Sequence, residues 1–157
     1  MSAIQDALAL FGDGPAALET AIEGTTLEEM SYSPAPGKWN IRQIVRHVAD
    51  TEIVAGMRLR HIVAEDRPPL IPFNQDAWAT NLNYANTDPA ESLLTFRVLR
   101  NDTVKLLRSL PAEAFERTGV HPERGERSLL AFVELFGRHA VAHAAQIRAI
   151  REAYPNK

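Results

Sequence analysis

Two histidines four residues apart, His139 and His143, stand in the run Gly137-Arg-His-Ala-Val-Ala-His-Ala-Ala-Gln-Ile147, in which no residue type interrupts a helix. At about 100° per residue, that spacing places both imidazoles on nearly one face, a turn apart, where they can reach one metal ion together. Ala140, Val141 and Ala142 put little bulk in a ligand's way. A third imidazole, His47, lies far upstream in another helical stretch, and a fold that apposes the two stretches would complete a three-histidine site. Neutral imidazole is the commonest ligand for zinc and also suits nickel, iron and copper. Three protein donors leave coordination positions open, as in catalytic centres, whereas structural zinc is usually closed by four. Spacing alone leaves the pair open between a ligand set and ordinary polar residues on a helix, and His47 by itself reads as a satisfied bundle histidine.

Other polar residues fall into place around these three. His47, Thr51, Val54 and Arg58 follow at i, i+4, i+7 and i+11, a single stripe along one helix. Arg58 is about 16 Å along the axis from His47, too far for the metal. It suits either the distal end of an anionic substrate or an interhelical ion pair. Metal-bound histidines commonly give their other N–H to a carboxylate or carbonyl, which makes Glu52 and Gln146 candidates for that support. Asp50 reads instead as a solvated helix residue. His61 and His121 are not first-choice ligands, and Trp39 and Trp78 read as core anchors.

The 157 residues suit one domain, spanning residues 1–157, large enough to fold without a metal staple. A formal charge of -3, with 17 basic residues spread among 20 acidic ones, provides no general basic field and argues against nucleic acid as the partner. There is no cysteine, so any thiol chemistry needs a thiol from outside. The start of the chain has no basic segment followed by an apolar run, and no stretch approaches 18 uncharged apolar residues, so a cytoplasmic protein with no membrane partner is expected.

Helical periodicity runs through most of the chain. Residues 2–11 suit a short helix, and Pro15 opens a second run over 15–23 that ends at Gly24. Thr25 and Glu28 have capping-box spacing. Asn40 can cap the next helix, with Trp39 folded back as a staple, and Ile41, Ile44, Val45, Val48, Val54, Ala55, Leu59 and Ile62 keep helical spacing to about Asp66. Pro68-Pro69 ends it, and the long link to Thr87 suggests a short helix near 74–78. Thr87-Asp88-Pro89 starts a helix to about Leu110, and Ser128 caps a last one to Tyr154. No segment alternates as a strand should. These elements predict an all-α four-helix bundle. The link after the second long helix could cross the bundle and leave its neighbours parallel, but an up-down-up-down order would also bring His47 level with His143.

The run Gly37-Lys-Trp-Asn-Ile-Arg-Gln-Ile-Val-Arg-His47-Val-Ala-Asp-Thr-Glu52, then Arg58, the Pro-Pro link, Trp78, Gly119-Val-His-Pro-Glu-Arg-Gly125 and His139-x-x-x-His143-x-x-Gln146, resembles the DinB/YfiT superfamily of bacterial metalloenzymes in order and over nearly the whole chain. The resemblance implies an up-down-down-up bundle with a crossover after the second helix, frequently dimeric, and a divalent metal, zinc or nickel ahead of iron or manganese, held by His47, His139 and His143. It further implies an enzyme acting on a small molecule, either a hydrolase or a transferase using an external thiol of the bacillithiol or mycothiol type. The alternative is a non-enzymatic dimeric metal-binding or stress-response protein. Where many relatives carry a bulkier residue after the second histidine of the pair, this chain has Ala144, and a wider pocket is expected.

Overall fold

The computed structural model describes residues 2–155. The first arm of the bundle is made of two pieces, α1 (Ala3–Gly12) and α2 (Gly14–Ile22), followed by the short α3 (Leu27–Ser31). Thr26, one residue beyond the expected Thr25, caps α3 by accepting from Glu29 N–H, while the Thr25 hydroxyl donates back to the Ile22 carbonyl. The second arm is α4 (Ile41–Ala64), opened by a capping box in which Asn40 and Gln43 each accept the other's backbone N–H. The crossover holds α5 (Gln75–Asn81) and a 3₁₀ turn over Tyr84–Asn86. The third arm is α6 (Pro89–Arg108), capped by Asp88, and the fourth is α7 (Leu129–Glu152), capped by Ser128.

Two apolar clusters fix the direction of each arm. The lower one joins Ala7 and Phe11 of α1 with Leu59 and Ile62 from the end of α4, Val104 and Leu107 from the end of α6, and Leu129 and Phe132 from the start of α7. The upper one joins Leu18 and Ala21 of α2 with Ile41 and Val45 from the start of α4, Phe96 of α6, and Ile147 and Ile150 near the end of α7. The first arm and α7 therefore run one way, α4 and α6 the other. The order is up-down-down-up, and the connection from α4 to α6 is the crossover. Among the described residues no helix is long and apolar enough to cross a membrane.

The expectation of a strand-free chain is corrected between α6 and α7. After a 3₁₀ turn at Ala112–Glu116, β1 (Thr118–His121) and β2 (Gly125–Ser128) form an antiparallel hairpin with Thr118 opposite Ser128 and His121 opposite Gly125. The crossover joins it from outside: Leu70 N–H donates to the Val120 carbonyl at 2.8 Å, and Val120 N–H donates to Pro68 O at 2.9 Å. A Cβ at Gly119 would come within 2.8 Å of the Ile62 side chain, so glycine lets the hairpin lie flat on the end of α4. At Gly137 a Cβ would meet Leu10 at 2.9 Å and the Phe11 backbone nitrogen at 3.1 Å, so α1 and α7 approach closely just before the histidine pair.

Between the two clusters lies a buried ion pair. Arg100 of α6 donates from Nε and Nη2 to the two Glu52 oxygens of α4 at 2.9 and 2.6 Å. Its Nη1 donates to the Phe11 carbonyl at 2.6 Å, Nη2 also reaches Phe136 O at 3.4 Å, and the guanidinium lies 3.8 Å from the centre of the Phe11 ring. One side chain thereby ties four helices together. Removing one partner of such a pair strands a buried charge, whereas replacing both with apolar residues relieves it. Arg100→Met is expected to cost about 3–5 kcal/mol, and the double change Arg100→Met/Glu52→Leu to cost clearly less, as read from urea unfolding of both proteins.

Candidate metal centre

His47, on the second turn of α4, and His139 and His143, one turn apart on α7, are brought together by the antiparallel packing of these helices. Their Nε2 atoms converge. His139 Nε2 lies 3.1 Å from His47 Nε2 and 3.1 Å from His143 Nε2, and one nitrogen from each ring falls within 4.8 Å of the other two. Ligands bound at about 2.0–2.1 Å to one ion sit about 3 Å from each other, so the spacing fits a shared divalent cation. His47 is buried, and the other two are half-buried.

Local contacts decide which nitrogen of His143 is free. The Gln146 side-chain carbonyl, one turn on, accepts from His143 Nδ1 at 2.8 Å, so that nitrogen carries the proton and Nε2 keeps its lone pair. Around His47 the indole of Trp39 lies 4.9 Å away between ring centres, and the Thr51 hydroxyl is 3.5 Å from Nε2. His47 Nδ1 is buried without a hydrogen-bond partner among the described residues, a cost of about 1–3 kcal/mol for a group so placed.

All three rings are held neutral. Burial, then the neighbouring His143, brings His47 down to about 4; burial, then His143, His47 and Arg100, brings His139 down to about 3. Burial also lowers His143, opposed by its bond to Gln146. Three lone pairs aimed at one point, with protonation disfavoured at each, form a donor set for a cation rather than for a proton.

Two cavities border the histidines. One, of about 250 Å³, is bordered by Lys38, Trp39, Gln75, Asp76, His143 and Gln146. A narrower one, of about 130 Å³, runs past His47, His139, Thr51, Phe73, Phe136 and Arg58. Gln75 borders both.

Several expected roles shift. Glu52 does not support His47, because both of its oxygens are taken by Arg100. Asp50, expected in solvent, is buried and ion-paired with Arg46. Ala144 faces the upper apolar cluster and lines neither opening, so it does not widen the pocket. Arg58 forms no interhelical ion pair but donates to the Ile71 carbonyl at 2.5 Å from inside the narrower cavity. His61 pairs with Glu65, away from the triad. Trp78 packs half-buried on Phe73. Sequence reasoning passed over Arg100 and Arg124. For Arg100 the signal was a cation on the apolar stripe that holds Phe96, Thr103 and Leu107.

Residues 10–147 match the family model of the DinB superfamily. The chain belongs to that family. Among its DinB relatives, a protein of Bacillus cereus (strain 03BB102) named "Putative metal-dependent hydrolase" is 31% identical over 140 residues, 89% of this chain and 80% of its own. A Bacillus mycoides (strain KBAB4) protein of like name matches with the same identity and coverage. Among solved structures this DinB chain is similar to YfiT from Bacillus subtilis, described as a probable metal-dependent hydrolase with an unusual four-helix bundle topology, with a TM-score of 0.83, 25% identity and coverage of 93% of this chain and 86% of that one. The mycothiol-dependent maleylpyruvate isomerase shares the fold at a TM-score of 0.73, with 14% identity over 92% of this chain and 60% of its own.

Because the folded-state histidine values lie below the free value of about 6.5, protons compete for the lone pairs only at low pH. Zinc is expected to stay bound at pH 5.5, where unperturbed histidines would already be releasing it. For the metal-free chain the sign follows: stability is full above about 6.5 and declines as the pH falls toward about 4 and 3. Gln146→Leu is expected to weaken zinc by about 10–100-fold. Competition with a chromophoric chelator at pH 7.0 and 5.5 checks both statements about zinc, and urea unfolding of the metal-free protein across the same range checks the third.

Proposed function

We propose that this DinB-family chain is a divalent-metal-dependent enzyme, a hydrolase acting on a small organic molecule, with the ion held by the Nε2 atoms of His47, His139 and His143. The observation that carries the reading is the convergence of three neutral imidazole nitrogens 3.1 Å from neighbour to neighbour, bordered by two cavities. The names borne by the relatives from Bacillus support it. Zinc or nickel suits three imidazoles best, ahead of iron or manganese. When bound, such an ion lowers the pKa of a water or thiol and stabilises negative charge developing on a substrate oxygen.

The chain's own groups do the rest. Gln146 fixes the His143 ring by accepting its Nδ1 proton. Trp39 packs against the His47 ring, while Phe73 and Phe136 wall the narrower cavity. Glu52 and Arg100, spent on each other, play no part in proton transfer.

A second reading, transfer of an external thiol to an electrophile, is favoured by the two cavities that border the triad, one at His143 and one at His47 and His139, which would give two reactants separate places. The absence of cysteine fits a thiol that arrives from outside. A purely structural metal site agrees less well with a set of only three donors.

Elemental analysis of the native protein beside a His139→Ala/His143→Ala variant is the test. About one divalent ion per chain in the first and none in the second is the expected result. Chelation is expected to abolish turnover in an ester, amide and thiol-plus-electrophile screen without unfolding the chain, and the same metal to restore it. A native protein that stays metal-free after reconstitution would overturn the reading.

A further inference from the structure

The narrower cavity ends in two cations that form no ion pair among the described residues. Arg58 enters it from α4, and Arg124 enters from the turn between β1 and β2. Arg58 is 5% exposed, and its Nε–H, fully buried, has no hydrogen-bond partner among the described residues. Its single hydrogen bond, from Nη2, goes to the Ile71 carbonyl. Among the described residues neither guanidinium belongs to an ion pair. Burial and the nearby Arg124 both weaken the hold of Arg58 on its proton, and Glu123 opposes them.

The turn that presents Arg124 is itself organised. His121 is buried, and its Nδ1 accepts from the backbone N–H groups of Glu123 at 3.2 Å and Arg124 at 3.3 Å. A neutral imidazole thus holds the turn closed, and burial and the two arginines favour that neutral form. Two cations facing one small cavity repel each other, and a guanidinium fork left with an unused buried N–H is the usual partner of a carboxylate. The rest of the lining is mostly apolar, Phe73, Leu135 and Phe136, with Thr51 and Gln75 as its polar members.

We propose that this cavity is a carboxylate-binding subsite, in which Arg58 and Arg124 take the acid group of a small substrate whose reacting end lies against the three histidines. At about 130 Å³ it admits a short acid and not a large ligand. Its link to catalysis rests on the metal-enzyme reading; the anion contact itself does not, since it needs only the two arginines.

The experiment is an NMR titration of the full-length protein, zinc-loaded and metal-stripped, with sodium butyrate and with the neutral isostere butyramide, following the arginine Nε–H signals. Butyrate is expected to move the Arg58 Nε–H signal saturably in both preparations, with butyramide at least about tenfold weaker. Arg124→Gln, a change at an exposed position, and Arg58→Gln are each expected to weaken butyrate about tenfold or more. Butyrate and butyramide binding alike, no binding of butyrate, or an Arg124→Gln variant that binds butyrate as the native protein does would each overturn the proposal. Failure of the metal reading shows separately, as zinc that does not bind, and leaves the metal-stripped titration readable.

Discussion

A cation in the middle of an apolar bundle must be neutralised or the bundle does not hold, and Arg100 is that cation. Its three nitrogens make four hydrogen bonds, to Glu52, the Phe11 carbonyl and the Phe136 carbonyl, and its flat face lies on the rings of Phe11 and Phe96. The chain needs α1, α4, α6 and α7 in one relative placement to satisfy it. Hydrophobic contact is forgiving of small slides between helices; a buried, fully bonded guanidinium is not. Phe136 precedes His139 by one turn on α7, and Glu52 follows His47 on α4. The same interaction that sets the height of α7 against α4 therefore sets which histidines meet.

The site's electrostatics follow from this arrangement. Arg100 lies near enough to His139 to disfavour its protonation, and burial does the same for each ring. In most proteins a buried neutral histidine is quieted by hydrogen bonds at both nitrogens. Here three Nε2 atoms face one another with only Gln146 fixing a tautomer from outside. A folded chain that keeps three lone pairs together has already met the cost of dehydrating them, so a cation gains bonds there at little cost in ordering.

The bundle and the histidine pair were legible in the sequence because periodicity and chemistry coincide there, whereas His47 joined the pair through the family resemblance. His139 and His143 share a face by their spacing, and α4 and α7 show their apolar stripes plainly. Angular arithmetic explains the misreadings. Glu52 comes five residues after His47, some 140° around the helix, and so faces α6 instead of the triad. Ala144 is a single residue past His143, about 100° around, and turns into the core. The hairpin was hidden because its strands are only four residues each and Thr118-Gly-Val-His121 shows no alternation of polar and apolar types. Arg124 was hidden because a turn residue's direction depends on the backbone, here on the grip of His121, and no periodicity reports it. Arg100 left a trace that could have been read, a charge centred on an apolar stripe in line with the equally misplaced Glu52.

The three histidines stand on the two longest helices, whereas Phe73, Gln75 and Arg124 come from the crossover and the hairpin turn. Helical positions are locked by packing on every side; loop positions can change length and composition without disturbing the core. Inheritance within the fold can therefore act on the two halves at different rates. Substitutions in the crossover and the turn can redirect which molecule enters while the reactive centre is passed on unchanged, a division that lets one bundle give rise to many specificities.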